Sequence, residues 1–220
     1  MTASPRMSSS PVRALLASAS LALVLSACGG SSATGDASAA PATADAADPL
    51  GFDDGHDVCF RAVADALDPA TPVSTIQSHF GKDGALQVCT VEYQNPADAR
   101  KLVGQRLDPG TGKFGDPYDI ELSVSGDVAS FRLEDYLVPL SQVDAAALSD
   151  TIDALKPSLD EVYSSYRWSG VRLESPGPFS EVHTLRLDLE GRLAANDLAN
   201  NGYASVSLDG QQVVRNHLLP

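Results

Sequence analysis

The residues of this chain that could do chemistry form few clusters, and the most compact one is acidic. It lies near the start of the first predicted helix and consists of Asp53, Asp54, His56 and Asp57. Carboxylates bind hard cations, and histidine together with carboxylates holds zinc. The alternative is an acidic helix start, because carboxylates stabilise the positive end of a helix dipole. We expect the helix start, and no metal site.

The glycine-rich segment 109–113 has some features of a phosphate-binding loop. Its sequence is Pro-Gly-Thr-Gly-Lys. The P-loop pattern, however, requires a glycine where Leu107 stands and a hydroxyl side chain where Phe114 stands. The sequence therefore predicts a long hairpin loop over residues 108–117, and no nucleotide or other cofactor.

The four histidines match no catalytic motif. None has the H-E-x-x-H spacing of zinc proteases, and no G-x-S-x-G motif presents a nucleophilic serine. His183 shares a predicted strand face with leucines, which is typical of a hydrogen-bonded histidine at the edge of a core. We therefore expect no catalytic residues. A divergent hydrolase, whose acidic residues meet only in space, is the enzyme alternative.

The N-terminal residues have the layout of a secretory signal. Arg6 and Arg13 supply positive charge, residues 14–25 are mainly apolar, and small residues then lead to Cys28 in the sequence Leu-Ser-Ala-Cys. This segment resembles the lipobox of bacterial lipoproteins. The resemblance implies cleavage before Cys28 and acylation of its thiol. Residues 1–27 would then be a signal peptide.

The same resemblance implies a location. A helix needs about 20 apolar residues to cross a bilayer, and this apolar segment is shorter. The lipid on Cys28 is therefore the expected membrane contact. We expect an exported protein that is lipid-anchored in the cell envelope. Bacterial lipoproteins with a residue other than Asp after the cysteine usually reach the outer membrane. Gly29 therefore indicates its periplasmic face, in a cell with two membranes.

Residues 28–50 connect this anchor to the rest of the chain. Between the cysteine and Leu50 the segment contains only Gly, Ser, Ala, Thr, Pro and Asp. It has no large apolar side chain to bury, so we expect a disordered tether. A globular domain over residues 51–220 follows, with a possible subdivision into 51–140 and 141–220.

Cys59 and Cys89 are the two cysteines that remain in a chain bound for an oxidising compartment. They predict one disulfide. Free thiols or a metal-binding pair are the alternatives. Cys59 lies on the apolar face of a predicted helix and Cys89 on the buried face of a predicted strand. The disulfide would therefore join a helix to the sheet.

Apolar residues at a spacing of three and four predict two helices. The first begins after His56 or Asp57 and ends at Asp68-Pro69. The second begins at Ser141, and Pro157 kinks or divides it. Its apolar face is formed by Leu148, Ile152, Leu155, Leu159, Val162 and Tyr166.

Alternating apolar residues predict antiparallel strands. A hairpin over residues 118–133 turns at Gly126-Asp127 and pairs Val124 with Ala129, Leu122 with Phe131 and Ile120 with Leu133. Further strands are predicted at 85–93 and 185–189, and a last hairpin at 203–218. The predicted class is α+β, with helices packed on one face of antiparallel sheet and two possible halves of a helix followed by strands.

Aromatic residues supply the candidates for binding. Tyr163 and Tyr166 share a face of the second predicted helix, close to Trp168. Tyrosine and tryptophan are frequent in interface hot spots. Phe114 and Phe179 lie in Gly- and Pro-rich loops, where an aromatic ring can be an exposed anchor. Core packing is the alternative for the Tyr163 cluster.

The net charge of −14 limits the choice of partner. It argues against nucleic acid, because phosphates require clustered Lys and Arg. We expect a non-enzymatic protein that binds another envelope macromolecule, for example a basic protein, as an assembly accessory or as an inhibitor of a basic hydrolase or toxin. A periplasmic carrier or sensor of a small apolar ligand is the alternative.

Overall fold

A computed structural model describes residues 50–124, 128–177 and 180–220, without the side chain of Phe52. Ten strands form one antiparallel sheet, in the order β10-β9-β8-β7-β1-β2-β3-β4, with β5 beside β3 and β6 beside β1. The strands are β1 (Pro72–Phe80), β2 (Leu86–Gln94), β3 (Leu102–Asp108), β4 (Lys113–Phe114), β5 (Tyr118–Ile120), β6 (Val138–Pro139), β7 (Tyr163–Glu174), β8 (Thr184–Leu193), β9 (Ala199–Val206) and β10 (Val213–His217). The helices are α1 (Val58–Ala66) and α2 (Leu148–Val162). The fold is therefore mixed, as predicted, and the sheet dominates it.

The element order repeats along the chain. Helix α1 is followed by strands β1 to β5, and helix α2 is followed by β7 to β10. The two sets of strands meet in the middle of the sheet, where β1 lies next to β7. Neither helix in the described part of the chain has the length and apolar character that crossing a bilayer requires.

The predictions for the first helix and the disulfide are confirmed. Helix α1 buries Val58, Cys59, Phe60 and Val63. The Cys59 sulfur is bonded to Cys89 on β2, with the two Cα atoms 5.5 Å apart. Both cysteines are fully buried. The disulfide therefore links α1 to the sheet inside the core.

The strands predicted at 85–93 and 185–189 are also present, as β2 and β8. In β8, the alternate residues Leu185, Leu187 and Leu189 are buried. The last predicted hairpin corresponds to β9 and β10, which pair Val206 with Val213.

The prediction that a helix begins at Ser141 and continues to Tyr166 is wrong at both ends. Residues Leu140–Gln142 form a short 3₁₀ helix, and α2 begins only at Leu148. Pro157 lies inside α2. The helix ends because Tyr163 has extended backbone, with φ −104° and ψ 134°, and opens strand β7. The spacing of Leu159, Val162 and Tyr166 matched a helix by coincidence.

The hairpin predicted over residues 118–133 is also wrong. Strand β5 pairs with β3, so Ile120 lies opposite Leu102 and not opposite Leu133. Leu133 belongs to a short 3₁₀ helix. Leu122 is 37% exposed, which is inconsistent with a buried hairpin face. Strand β5 therefore pairs with the edge of the sheet at β3 and not with the segment that follows it in the chain. The predicted turn itself lies outside the described residues, as do residues 1–49 with Cys28, and Phe179.

A serine hydroxyl completes the junction between β1 and β7. Gln77 lies opposite Arg172, and this is the one residue pair assigned between the two strands in the described part of the chain. Next to it, Ser78 Oγ accepts a hydrogen bond from the Val171 backbone N–H at 3.0 Å and donates one to the Val171 carbonyl at 3.1 Å. Ser78 is buried. Its hydroxyl therefore satisfies two backbone groups that have no access to water.

We expect Ser78→Ala to lower the free energy of unfolding by about 1–3 kcal/mol, because it leaves these buried Val171 groups without a partner. Urea denaturation measures this change. Ser74→Ala is the matched control, since the Ser74 hydroxyl only donates to a carbonyl, that of Glu92. A Ser78 variant that is no less stable than the Ser74 variant would contradict this account of the junction.

Candidate functional site

A cleft of about 810 Å³ opens where β1 lies next to β7. Helix α2 forms one wall through Ile152, Asp153, Lys156 and Asp160. The turn between β1 and β2 forms another, with Asp53 and His56 beside it. Residues 163–168 of β7 form the base. The cleft thus lies between the two sets of strands and is lined from both.

The base of the cleft is apolar. Phe80, Ile152 and Trp168 contribute to its lining and are at most 8% exposed. Trp168 is the one tryptophan of the chain, so its fluorescence reports on this site. Apolar surface with polar groups around it is the usual composition of a binding site.

Three side chains form a hydrogen-bonded group at the end of α2. Tyr166 Oη donates to Asp160 Oδ1 at 2.8 Å, and Lys156 Nζ lies 3.1 Å from Asp160 Oδ2 and 3.4 Å from Tyr166 Oη. Burial and the bond to Asp160 raise the pKa of Tyr166, and the Asp160 hydrogen bond raises the pKa of Lys156. Tyr166 and Lys156 therefore keep their protons at neutral pH, and the group can donate hydrogen bonds to a ligand.

The rim of the cleft carries negative charge that the fold does not neutralise. Asp53 and Asp153 are exposed. Neither forms an ion pair with a Lys or Arg of the described residues. Asp83 is also on the rim, with one oxygen used by the Ala85 N–H. Lys82 is the opposing charge nearby. Basic groups of a ligand are thus favoured here.

His56 lies on the same rim. Burial lowers its pKa from the ordinary value, and the carboxylates of Asp57 and Asp153 oppose this shift. The folded protein therefore favours the neutral imidazole. Protonation near the ordinary pKa of about 6.5 stabilises the unfolded chain relative to the folded one.

We expect a stability loss that depends on His56 as the pH falls below about 6.5. The loss continues until the pH reaches the lowered pKa of the folded state. His56→Gln removes this contribution, so its free energy of unfolding should change less than that of the wild type between pH 7.5 and pH 5. Urea denaturation at a series of pH values measures the difference. Parallel pH profiles for the two proteins would contradict it.

The base of the cleft includes a stretch of strand that is paired on one side only. Gln77 lies opposite Arg172, and β1 ends three residues later, at Phe80. Residues 164–167 extend past that end. Ser165, Tyr166 and Arg167 pair with β8 on one side, and on the other side no described strand is assigned as a partner of residues 164–167. An inner edge of the sheet is thus open at this place.

Arg167 marks the point where this open edge begins. Its Nη1 donates to the carbonyls of Phe80 and Gly81, at 2.8 and 3.1 Å, and its Nη2 lies 2.7 Å from Glu190. The guanidinium therefore links β7 to the carbonyl of the last residue of β1 and to that of the residue after it.

The structure brings together three of the predicted binding residues, although not on a helix. Tyr163, Tyr166 and Trp168 lie on β7, and the Tyr163 and Tyr166 rings are 6.0 Å apart. All three line the cleft. Tyr163 is 4% exposed. Its hydroxyl donates a hydrogen bond to the Leu218 carbonyl and accepts one from Asn200 Nδ2, so its main role is in the packing of the core. The statement that the two tyrosines share a helix face is wrong.

Phe114 lies elsewhere. It belongs to β4, is half-buried, and packs against the core beside α1. It is therefore not an exposed ring at a loop tip. Segment 108–117 does reverse the chain, with Leu107 opposite Phe114, but the loop is shorter than predicted because Lys113 and Phe114 form strand β4.

The wall residues Asp153, Lys156 and Asp160 were not predicted as site residues. The available signal was their position on the polar side of an amphipathic helix, which is also typical of an ordinary solvent-facing surface. In the acidic cluster, Asp53 and His56 reach the cleft, whereas Asp57 pairs with Arg61 of α1. Within the ranges that the structure describes, no three His, Cys, Asp or Glu side chains form a group that could hold a metal ion.

The chain was also compared with protein-family models, curated proteins and solved structures, and no match was found in any of the three comparisons.

Proposed function

We propose that this chain is an exported lipoprotein whose domain binds another macromolecule of the cell envelope without catalysing a reaction. The observation that supports it best is the cleft between β1 and β7, with its apolar base and its unneutralised Asp53 and Asp153. Such a site fits a partner with an apolar contact and a basic one. The net charge of −14 favours a basic partner over longer distances.

The two helices would lie on one face of the sheet in this proposal. Asp53 and His56, just before α1, and Asp153 of α2 line the same cleft. The arrangement would leave the cleft as the gap between the helical layers of the two halves.

The proposed anchor is the lipid on Cys28, at the periplasmic face of the outer membrane in a cell with two membranes. Its test is Cys28→Ala in the full-length chain. We expect the variant to lose incorporation of labelled fatty acid. A variant that incorporates the label at the wild-type level would overturn the anchor.

A basic partner is tested by capture with the full-length chain, extracted from membranes in detergent. We expect one basic envelope protein, released by high salt, to copurify with the wild type. The charge-reversed cleft variant Asp53→Lys/Asp153→Lys should lose it. The control Asp65→Lys/Asp116→Lys changes the same charge outside this cleft and should retain it. Equal capture by both variants would contradict binding in the cleft.

The second candidate is a carrier or sensor of a small apolar molecule. Its support is the cleft volume of about 810 Å³ and the apolar base at Trp168, since small-molecule sites usually occupy about 300–1,000 Å³. Solvent extraction of the same purified protein distinguishes the two. A stoichiometric apolar compound, with no captured protein, would favour the carrier.

A further inference from the structure

We infer that the cleft takes an extended, basic peptide segment of a protein partner, which adds as a strand to the open edge of β7. This inference rests on the proposed binding function and specifies its mode.

The backbone of residues 164–167 offers an edge to an added strand. Alternate residues of a strand direct their N–H and C=O groups to the same side. Here residues 165–167 pair with β8 on one side, and on the other side no strand among the described residues is assigned as their partner. An unpaired edge is a template for another strand, and addition of a peptide to such an edge is a common recognition mode. The stretch is about 13 Å long at 3.3 Å per residue.

There is space for side chains on both faces of the sheet at this edge. The main cleft lies on the side of α2. A second hollow of about 440 Å³ lies beside Glu190, Arg192 and Asn201. The two hollows share Lys82, Ser165, Tyr166 and Arg167 in their linings. Side chains of an added strand alternate between the two faces of the sheet, so both sets would find room.

The charge of the cleft rim favours a basic peptide. The side chains that point toward α2 would meet the rim with Asp53, Asp83 and Asp153 and the apolar base at Trp168. In the second hollow, Arg192 is already paired with Asp197, and Glu190 with Arg167. Lysine or arginine is therefore favoured at the positions of the peptide that face α2. An acidic segment would be repelled there.

The test uses the full-length protein in detergent and a soluble probe peptide of alternating lysine and valine. Trp168 fluorescence reports binding, and amide hydrogen exchange reports protection of residues 164–167. We expect saturable binding with slower exchange in that stretch. A peptide of the same composition with all lysines first, and a peptide with glutamate for lysine, should each bind about tenfold more weakly. The Asp53→Asn/Asp153→Asn variant should weaken binding of the probe, whereas Asp65→Asn/Asp116→Asn should not.

Backbone N-methylation separates strand addition from binding of another kind. In one peptide the methyl groups replace the N–H hydrogens that would bond to β7. In the other peptide they replace the N–H hydrogens that point away from β7. We expect one of the two methylated peptides to lose binding and the other to retain it. Equal binding by both, or no probe effect on Trp168 and residues 164–167, would overturn strand addition. If envelope protein is nevertheless captured through the cleft, the proposed function stands without this mode.

Discussion

Gly170→Ala should be among the most destabilising single substitutions in this chain, although alanine for glycine in a strand ordinarily stabilises. A Cβ built on Gly170 would collide with the backbone carbonyl oxygen of Ser78 on β1 and would lie 3.6 Å from the His79 Cα. Because the contact is with backbone, no side chain can rotate away. The strands must separate, and the two hydrogen bonds between Ser78 and Val171 are then lost as well. We expect a loss of about 3 kcal/mol in the free energy of unfolding.

Urea denaturation of the oxidised protein measures this loss. Gly115→Ala is the control, because the nearest atom to its new methyl group would be the Arg106 carbonyl oxygen at 3.7 Å, an ordinary contact. We expect that variant to stay within about 0.5 kcal/mol of the wild type. If Gly170→Ala is as stable as Gly115→Ala, then the close packing of β1 on β7 is not as described.

Loss of the disulfide should have an effect of similar size. Cys59 and Cys89 close a loop with a sequence separation of 30. Cross-linking such a loop removes conformational freedom from the unfolded chain, worth about 3–4 kcal/mol in the chain-entropy model. Both cysteines are fully buried, so Cys59→Ala/Cys89→Ala also loses packing around α1. We expect the free energy of unfolding of the double variant, measured by urea denaturation, to be lower by at least this amount.

The third cysteine supplies the control for that experiment. Cys28→Ala should leave the unfolding midpoint unchanged, because it does not belong to the disulfide. Hydrogen exchange of the α1 amides gives a local readout, and we expect faster exchange in the double variant than in the wild type. Equal midpoints for the double variant and Cys28→Ala would show that the disulfide contributes nothing to stability.

The parts of the fold that could be predicted depend on local or strongly alternating patterns. Helix α1 has a clear apolar face and ends before Pro69, and Leu185, Leu187 and Leu189 alternate through β8. The errors occur where a distant strand competes with a local partner. Ile120 suits the predicted hairpin as well as it suits the edge of β3, and only the assembled sheet decides between them. Likewise, Tyr166 fits a helical spacing and a strand.

The sequence singles out two parts of the candidate site, its aromatic residues and the acidic cluster that includes Asp53 and His56. Tyr166 and Trp168 are candidates because tyrosine and tryptophan are frequent in binding sites. Asp53 and Asp153, in contrast, are 100 positions apart and meet only because β1 and β7 are neighbours in the sheet. The open edge at residues 164–167 arises because β7 extends past the end of β1. This depends on how the two strands are aligned in the sheet, which cannot be predicted from a local sequence pattern.

Site-specific photo-crosslinking in the cell that makes this protein tests the central claim most directly. A photoreactive amino acid replaces Ser165, which is exposed and lines the cleft, and in a parallel strain it replaces Asp116 outside it. If the cleft binds an envelope macromolecule, irradiation should give one discrete protein adduct from position 165 and none from position 116. The absence of a protein adduct at 165, or the same adducts from both positions, would contradict the account.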